Sequence, residues 1–358
     1  MYPLDRLLRF ILSYVVKRAD LRHLTIAAMV LFSQVSFQGQ ATTQLLSTIT
    51  PQNAVEEAHK NIELGKEKEA IESLEQLANV HPVAPGVNRE LGIAFYRTGR
   101  LTEAEESFAA AMNDDPNDAE SIQMRGLTVF RLGRFSDAIP YLERGRQATR
   151  PSDIDANYVL GRCYLEASRY DDARVAFANQ YGLAPDSGAA YLLIAQMLVI
   201  RELPEIAATN ARKALELSPH LALAHFLLGK IFLAKGELDH ALEEFEAERA
   251  INPAHPQLYQ FLGDLYIKEG KFGLAQQNLT RALSLDQSST EPFILMGRLF
   301  LADEDPQTAS SYLEHAESMD PSNFITHYLL AQAYRSMGKT DEAKKEFDLV
   351  AKMHSSTH

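Results

Sequence analysis

The chain has 358 residues, 46% of them hydrophobic, and carries 35 Lys and Arg against 48 Asp and Glu, a formal net charge of −13. That balance argues against non-specific binding to a phosphate backbone, which needs a basic surface, so nucleic acid is not an expected partner. Cys163 is the only cysteine, which excludes an intrachain disulfide framework and a cysteine-based zinc cluster.

The first stretch with a pattern is N-terminal. Lys17, Arg18 and Arg22 precede an apolar run from Leu24 to Phe37, and Gly39-Gln40-Ala41 places small residues at −3 and −1. A basic region, an apolar core and a small-residue cleavage site are the layout of a secretory signal. The run falls short of the ~20 apolar residues that a spanning helix needs. Residues 1–41 are therefore expected to be a signal peptide cleaved after Ala41, with retention as an N-terminal membrane anchor as the alternative. The expected location is a periplasm or cell envelope, or, with the anchor kept, the inner membrane. No cysteine follows the run, so a lipoprotein anchor is not expected. A second apolar block, Leu7 to Val16, fits an amphipathic interfacial helix or a start placed upstream of the true one. Cleavage would remove five basic and two acidic residues and leave a net charge of −16. Residues 42–50, TTQLLSTIT, are uncharged, rich in Thr and Ser, and read as a linker.

From residue 51 one spacing governs the chain. A small residue recurs at Ala58, Gly92, Gly126, Gly161, Ala195, Gly229, Gly263, Gly297 and Ala331, always 34 residues apart except for 35 between Gly126 and Gly161. Twelve residues after each stands Ala70, Ala104, Ala138, Ala173, Ala207, Ala241, Ala275, Ala309 or Ala343. Four further on comes Leu74, Phe108, Leu142, Phe177, Ala211, Phe245, Leu279, Leu313 or Phe347, large in every case but Ala211. Prolines such as Pro82, Pro116, Pro151, Pro185, Pro219, Pro253 and Pro321 end the units, and the extra residue falls beside Pro151, in a turn that tolerates insertion.

The stretch Ala222–His255 shows the unit most fully. Leu228, Gly229 and Phe232 share one helical face, Gly236 breaks the pattern, Ala241 and Phe245 resume it, and Pro253 closes it. Gly236 suits a helix C′ position, since it enters the left-handed region without a Cβ clash, and proline cannot continue a helix. Two helices of ~13 residues follow, each too short to be stable alone.

These residues resemble the tetratricopeptide repeat, whose period is 34 and whose pattern runs W-x2-L-G-x2-Y, A-x3-F, P. The resemblance covers nine units near 51–84, 85–118, 119–153, 154–187, 188–221, 222–255, 256–289, 290–323 and 324–357. It implies an all-α fold, a right-handed solenoid of about nine helix-turn-helix units. No Trp occurs, and Tyr191, His225, Tyr259, Phe293 and His327 stand where the family has one. The expected packing has Gly or Ala facing Ala between paired helices, with the large residue one turn on filling the gap to the neighbouring unit.

No catalytic motif is present: no HExxH, no Gly-rich phosphate loop and no G-x-S-x-G. An enzyme is not expected, nor a cofactor or metal. Acid-rich runs such as Glu103 to Glu106 and Glu243-Glu244-Phe245-Glu246 read as solvated helix faces. His220, His255 and His315 read as solvated residues near turns or helix ends.

The family resemblance implies that first helices line a concave groove. By helical spacing, the residues one, four and five after the small residue share that face with the one three before it. Arg97, Arg131 and Lys268, five after it, are common in such repeats and are discounted. Arg162, Lys230 and Arg298, directly after it in every second unit, are the candidate partner-binding cations, flanked by Tyr158, Phe226 and Ile294. Cations alternating with apolar groups suit an extended acidic peptide or a free carboxylate terminus. The family's dicarboxylate clamp does not transfer, because Tyr158, Gln196 and Asp264 interrupt it. The expectation is a non-catalytic adaptor for protein or peptide partners. Open alternatives are a self-associating envelope scaffold and an accessory subunit of an enzyme complex; the sequence leaves the oligomeric state open.

Overall fold

The computed structural model describes residues 50–146 and 156–355. The signal or anchor segment 1–41, all of linker 42–50 but its last residue, and the insertion beside Pro151 lie outside the described residues. Among the described residues there are eighteen helices and no strand, and none is long and apolar enough to cross a membrane.

From Pro51 onward the chain forms one unit of paired helices. The first three hairpins are α1 (Pro51–Glu63) with α2 (Glu67–Ala78), α3 (Val87–Arg97) with α4 (Leu101–Asp114), and α5 (Ala119–Arg131) with α6 (Phe135–Gly145). Next come α7 (Ala156–Glu166) with α8 (Tyr170–Gln180), α9 (Gly188–Ile200) with α10 (Pro204–Leu217), and α11 (Ala224–Ala234) with α12 (Leu238–Ile251). The last three are α13 (Pro256–Lys268) with α14 (Phe272–Leu285), α15 (Glu291–Ala302) with α16 (Pro306–Met319), and α17 (Phe324–Ser336) with α18 (Thr340–Ser355). Each described helix touches only the next helix or the one after it. Contacts confined to neighbours define a solenoid, whose stability is a sum over units and their interfaces.

The small residue works inside its own hairpin. A Cβ built on Gly92, Gly126, Gly161, Gly229, Gly263 or Gly297 would fall within 2.9 Å of Phe108, Leu142, Phe177, Phe245, Leu279 or Leu313 respectively. The large residue sixteen positions on therefore lies flat on the glycine of the same unit. This corrects the expected assignment of that side chain to the gap between units. The alanines behave as the spacing requires: all nine are buried, eight of them completely. In the fifth unit Ala195 and Ala211 face the same region of core, both fully buried.

Every hairpin turns through the same backbone device. Gly236 sits at C′ with φ +77°; its N–H bonds to Leu233 O at 3.0 Å, and the Glu237 N–H bonds to Phe232 O at 2.9 Å. These paired bonds satisfy the last carbonyls of the helix. Ser168, Glu202 and Glu304 occupy the same position in their units with φ between 58° and 60°, a region that costs a residue with a Cβ.

Candidate partner-binding face

The odd-numbered helices carry the residues directly after each small residue, and their charges have two kinds of surroundings. Arg162, on α7, is exposed, and its guanidinium stands 5.6 Å from the centre of the Phe130 ring in the preceding unit. The neighbouring Glu166 is committed elsewhere, to a two-pronged bond from Arg201 at 2.5 and 2.8 Å. That bond holds the Glu166 carboxyl below the usual carboxylate range. Lys230, on α11, rests 5.7 Å from the Phe226 ring and 5.6 Å from Phe261. Arg162 and Lys230 each lie on aromatic faces, and among the described residues neither makes an ion pair with a carboxylate. Such contacts are worth about 0.5–1 kcal/mol at exposed sites and, unlike an ion pair, leave the positive charge uncompensated.

Arg298 differs. It donates to Asp264, one unit earlier, and Asp264 also pairs with Lys268 at 3.1 Å. The third member of the basic series is thus neutralised within the protein.

The flanking residues separate as well. Tyr158 is 41% exposed, with its ring edge-on to Phe177. Phe226 and Ile294 are 7% and 3% exposed and belong to the core, which corrects their expected place on the groove wall. Phe226 is covered from the next unit by His255, 4.5 Å away, and by Phe261, 5.4 Å away. At the corresponding positions beyond Tyr158 stand the smaller Ser187 and Leu193. Ile200, five after Ala195, adds an aliphatic side chain at 67% exposure to this stretch.

The discounted arginines are structural ties. Arg97 donates to the carbonyl of Ile62 at 2.7 Å, and Arg131 to that of Tyr96 at 3.1 Å. Both acceptors lie in the last turn of the preceding first helix, where carbonyls lack helical partners.

One histidine is not the solvated residue expected. His255 stands at the N-cap position of α13 without a capping bond from its side chain and is partly buried against Phe226, and burial pushes its imidazole below its ordinary pKa. His315 is exposed on α16, as expected, with its ring 4.4 Å from Phe293. The burial of two ionisable groups was not anticipated from the sequence. The Glu248 carboxylate, with no exposure, accepts from the Leu223 N–H at 2.8 Å and the Phe226 N–H at 3.3 Å, so it caps α11. A carboxylate at a helix N-terminus is favoured by the unpaired N–H groups there. The other is His327, between α16 and α18. The only signal for either was an ionisable residue at an apolar register.

Three tetratricopeptide repeat models match the chain: one at residues 57–119, 124–189 and 192–256, a second at 300–355 and a third at 256–289. Cellulose synthase 1 operon protein C of Komagataeibacter xylinus is 25% identical over 171 residues, 45% of this chain and 13% of that protein. Anaphase-promoting complex subunit 3 of Schizosaccharomyces pombe is 23% identical over 188 residues, 52% of this chain and 28% of that protein. The chain thus spans under a third of the length of these relatives. The solved structure of YrrB, a TPR protein with an unusual peptide-binding site, is 21% identical with a TM-score of 0.42, covering 51% of this chain and 93% of that one. With its family model matched over more than half its length, the chain belongs to the tetratricopeptide repeat family, whose arrays are scaffolds for protein interaction.

Proposed function

We propose that the chain is an exported, non-catalytic adaptor that holds an extended acidic segment of a partner protein along units four to six. The observation that carries this reading is that, among the described residues, Arg162 and Lys230 make no ion pair with a carboxylate while Arg298 is paired with Asp264. Desolvating a cation without a partner is costly, so an unpaired charge on a wall of aromatic and aliphatic groups favours an incoming carboxylate. Tyr158 and Ile200 supply the apolar contacts between and beside the two charges. The export half rests on the layout of residues 1–41, with an N-terminal anchor retained in the membrane as the alternative.

Pull-down from an envelope fraction would identify the partner segment, and titration of that peptide at rising salt would test the site. Arg162→Ala with Lys230→Ala is expected to weaken binding about tenfold or more, ~1.4 kcal/mol, and to flatten the salt dependence. Unchanged affinity across the salt range would refute the groove. N-terminal sequencing of the mature protein, expected to begin at Thr42, checks the export reading separately.

A further inference from the structure

The last hairpin brings an imidazole and two carboxylates from three helices to one point. His327, on α17, is almost fully buried; its Nδ1 lies 2.6 Å from Glu346 Oε2 on α18 and 3.9 Å from Glu317 Oε1 on α16. The three ligand atoms all fall within 4.8 Å of one another. On the far side of the ring Nε2 is 2.9 Å from the carbonyl oxygen of Pro321. An Nε2–H donating to that oxygen leaves Nδ1 facing the carboxylates, the same second-shell orientation that fixes metal-bound imidazoles.

The sixth unit provides an internal comparison. At the same register His225 Nδ1 meets Glu244 Oε2, also at 2.6 Å. There the position equivalent to Glu317 is Leu215. A His–Glu pair alone is thus compatible with this place in the repeat, and the second carboxylate, Glu317, is added from the preceding unit.

We propose that Glu317, His327 and Glu346 form a binding site for a divalent transition-metal ion of the zinc type, tying α16, α17 and α18 together. One imidazole nitrogen with two carboxylate oxygens suits zinc, whereas calcium and magnesium take all-oxygen sets. Glu317, on the open side with its side chain 38% exposed, gives an entry path. Water completes the coordination. On binding, the Nδ1 proton leaves to solvent and the ion takes its place, while Nδ1 and Oε2 separate to about 3.3 Å, the spacing of two ligands ~2 Å from a tetrahedral centre. Tyr334, which donates to Glu314, also faces Glu346 and Glu317. An imidazole nitrogen binds a metal only without its proton, so the proton competes with the metal and binding strengthens with rising pH.

Calorimetric titration of the full, untagged chain with zinc chloride at pH 6 and pH 8 tests the site. One equivalent is expected, bound more tightly at pH 8, with a rise in Tm. Glu317→Gln, at a partly exposed position, is expected to weaken binding at least about tenfold, the low end of what even an outer-shell partner contributes. His225→Ala should leave it unchanged. The proposal is overturned if the unaltered chain binds no zinc, or if Glu317→Gln and His327→Ala bind it as the unaltered chain does; the cluster is then an ion pair and nothing more.

Discussion

Units four to six and units seven to eight place cations at the same register and do different things with them. Arg162 and Lys230 lie on rings; Arg298 is tied to Asp264, which also holds Lys268. A count of basic residues on the inner helices therefore overstates the charge available to a partner. Availability depends on whether the adjoining unit places an acid within reach, and a buried or half-buried pair is already committed.

The most severe way to break this comparison is to dismantle the wall beneath one of its charges. Phe245 lies on Gly229, beside Lys230 in sequence, and Phe245→Ala is expected to lower the unfolding free energy by about 3–5 kcal/mol, from lost burial plus the cavity left behind. Urea denaturation checks this, and a value under 1 kcal/mol would mean that the ring does not support α11. Next in size, Arg162→Ala with Lys230→Ala should cost acidic-peptide binding about tenfold, against less than about twofold for Arg298→Ala, whose charge is already matched. Equal losses for the two variants would erase the distinction between the segments. A gain sharpens it further: Asp264→Asn should free Arg298 and strengthen binding of a peptide long enough to reach unit eight by a few-fold, less than ~1 kcal/mol, seen in fluorescence anisotropy. The smallest effects are backbone controls. Glu202→Gly and Glu304→Gly, one in each segment, should each stabilise by about 1 kcal/mol by relieving the left-handed conformation, without altering peptide affinity.

The fold was legible because its determinants are local and recur. Six glycines opposite six large side chains, and an alanine twelve residues after every small residue, specify paired helices wherever they occur in phase. The turn was only partly legible: Gly236 announces it, but Ser168, Glu202 and Glu304 adopt the same backbone without the residue type that signals it. The face was less legible still. Tyr158, Phe226 and Ile294 share a register, yet Tyr158 alone is open, because the next unit covers Phe226 with His255 and Phe261 and offers Tyr158 only Ser187 and Leu193. Exposure at that position is decided a whole repeat away. Charge pairing follows the same rule, since Asp264 and Arg298 are 34 residues apart. Periodicity shows which positions are equivalent; it does not show what each one meets.

Four of the long-range ties share a direction. Arg97 reaches back to Ile62, Arg131 to Tyr96, Arg201 to Glu166 and Arg298 to Asp264, so in all four the cation comes from the later unit and the acceptor from the earlier. The two ends of the array are therefore not interchangeable as places to cut. Removing a C-terminal block takes a cation from a carbonyl or carboxylate of the unit that remains, whereas removing the first unit takes the His59 imidazole from the buried Glu90 carboxylate. During synthesis the same asymmetry means that the carbonyls of Ile62 and Tyr96 and the carboxylates of Glu166 and Asp264 wait for a cation more than thirty positions downstream.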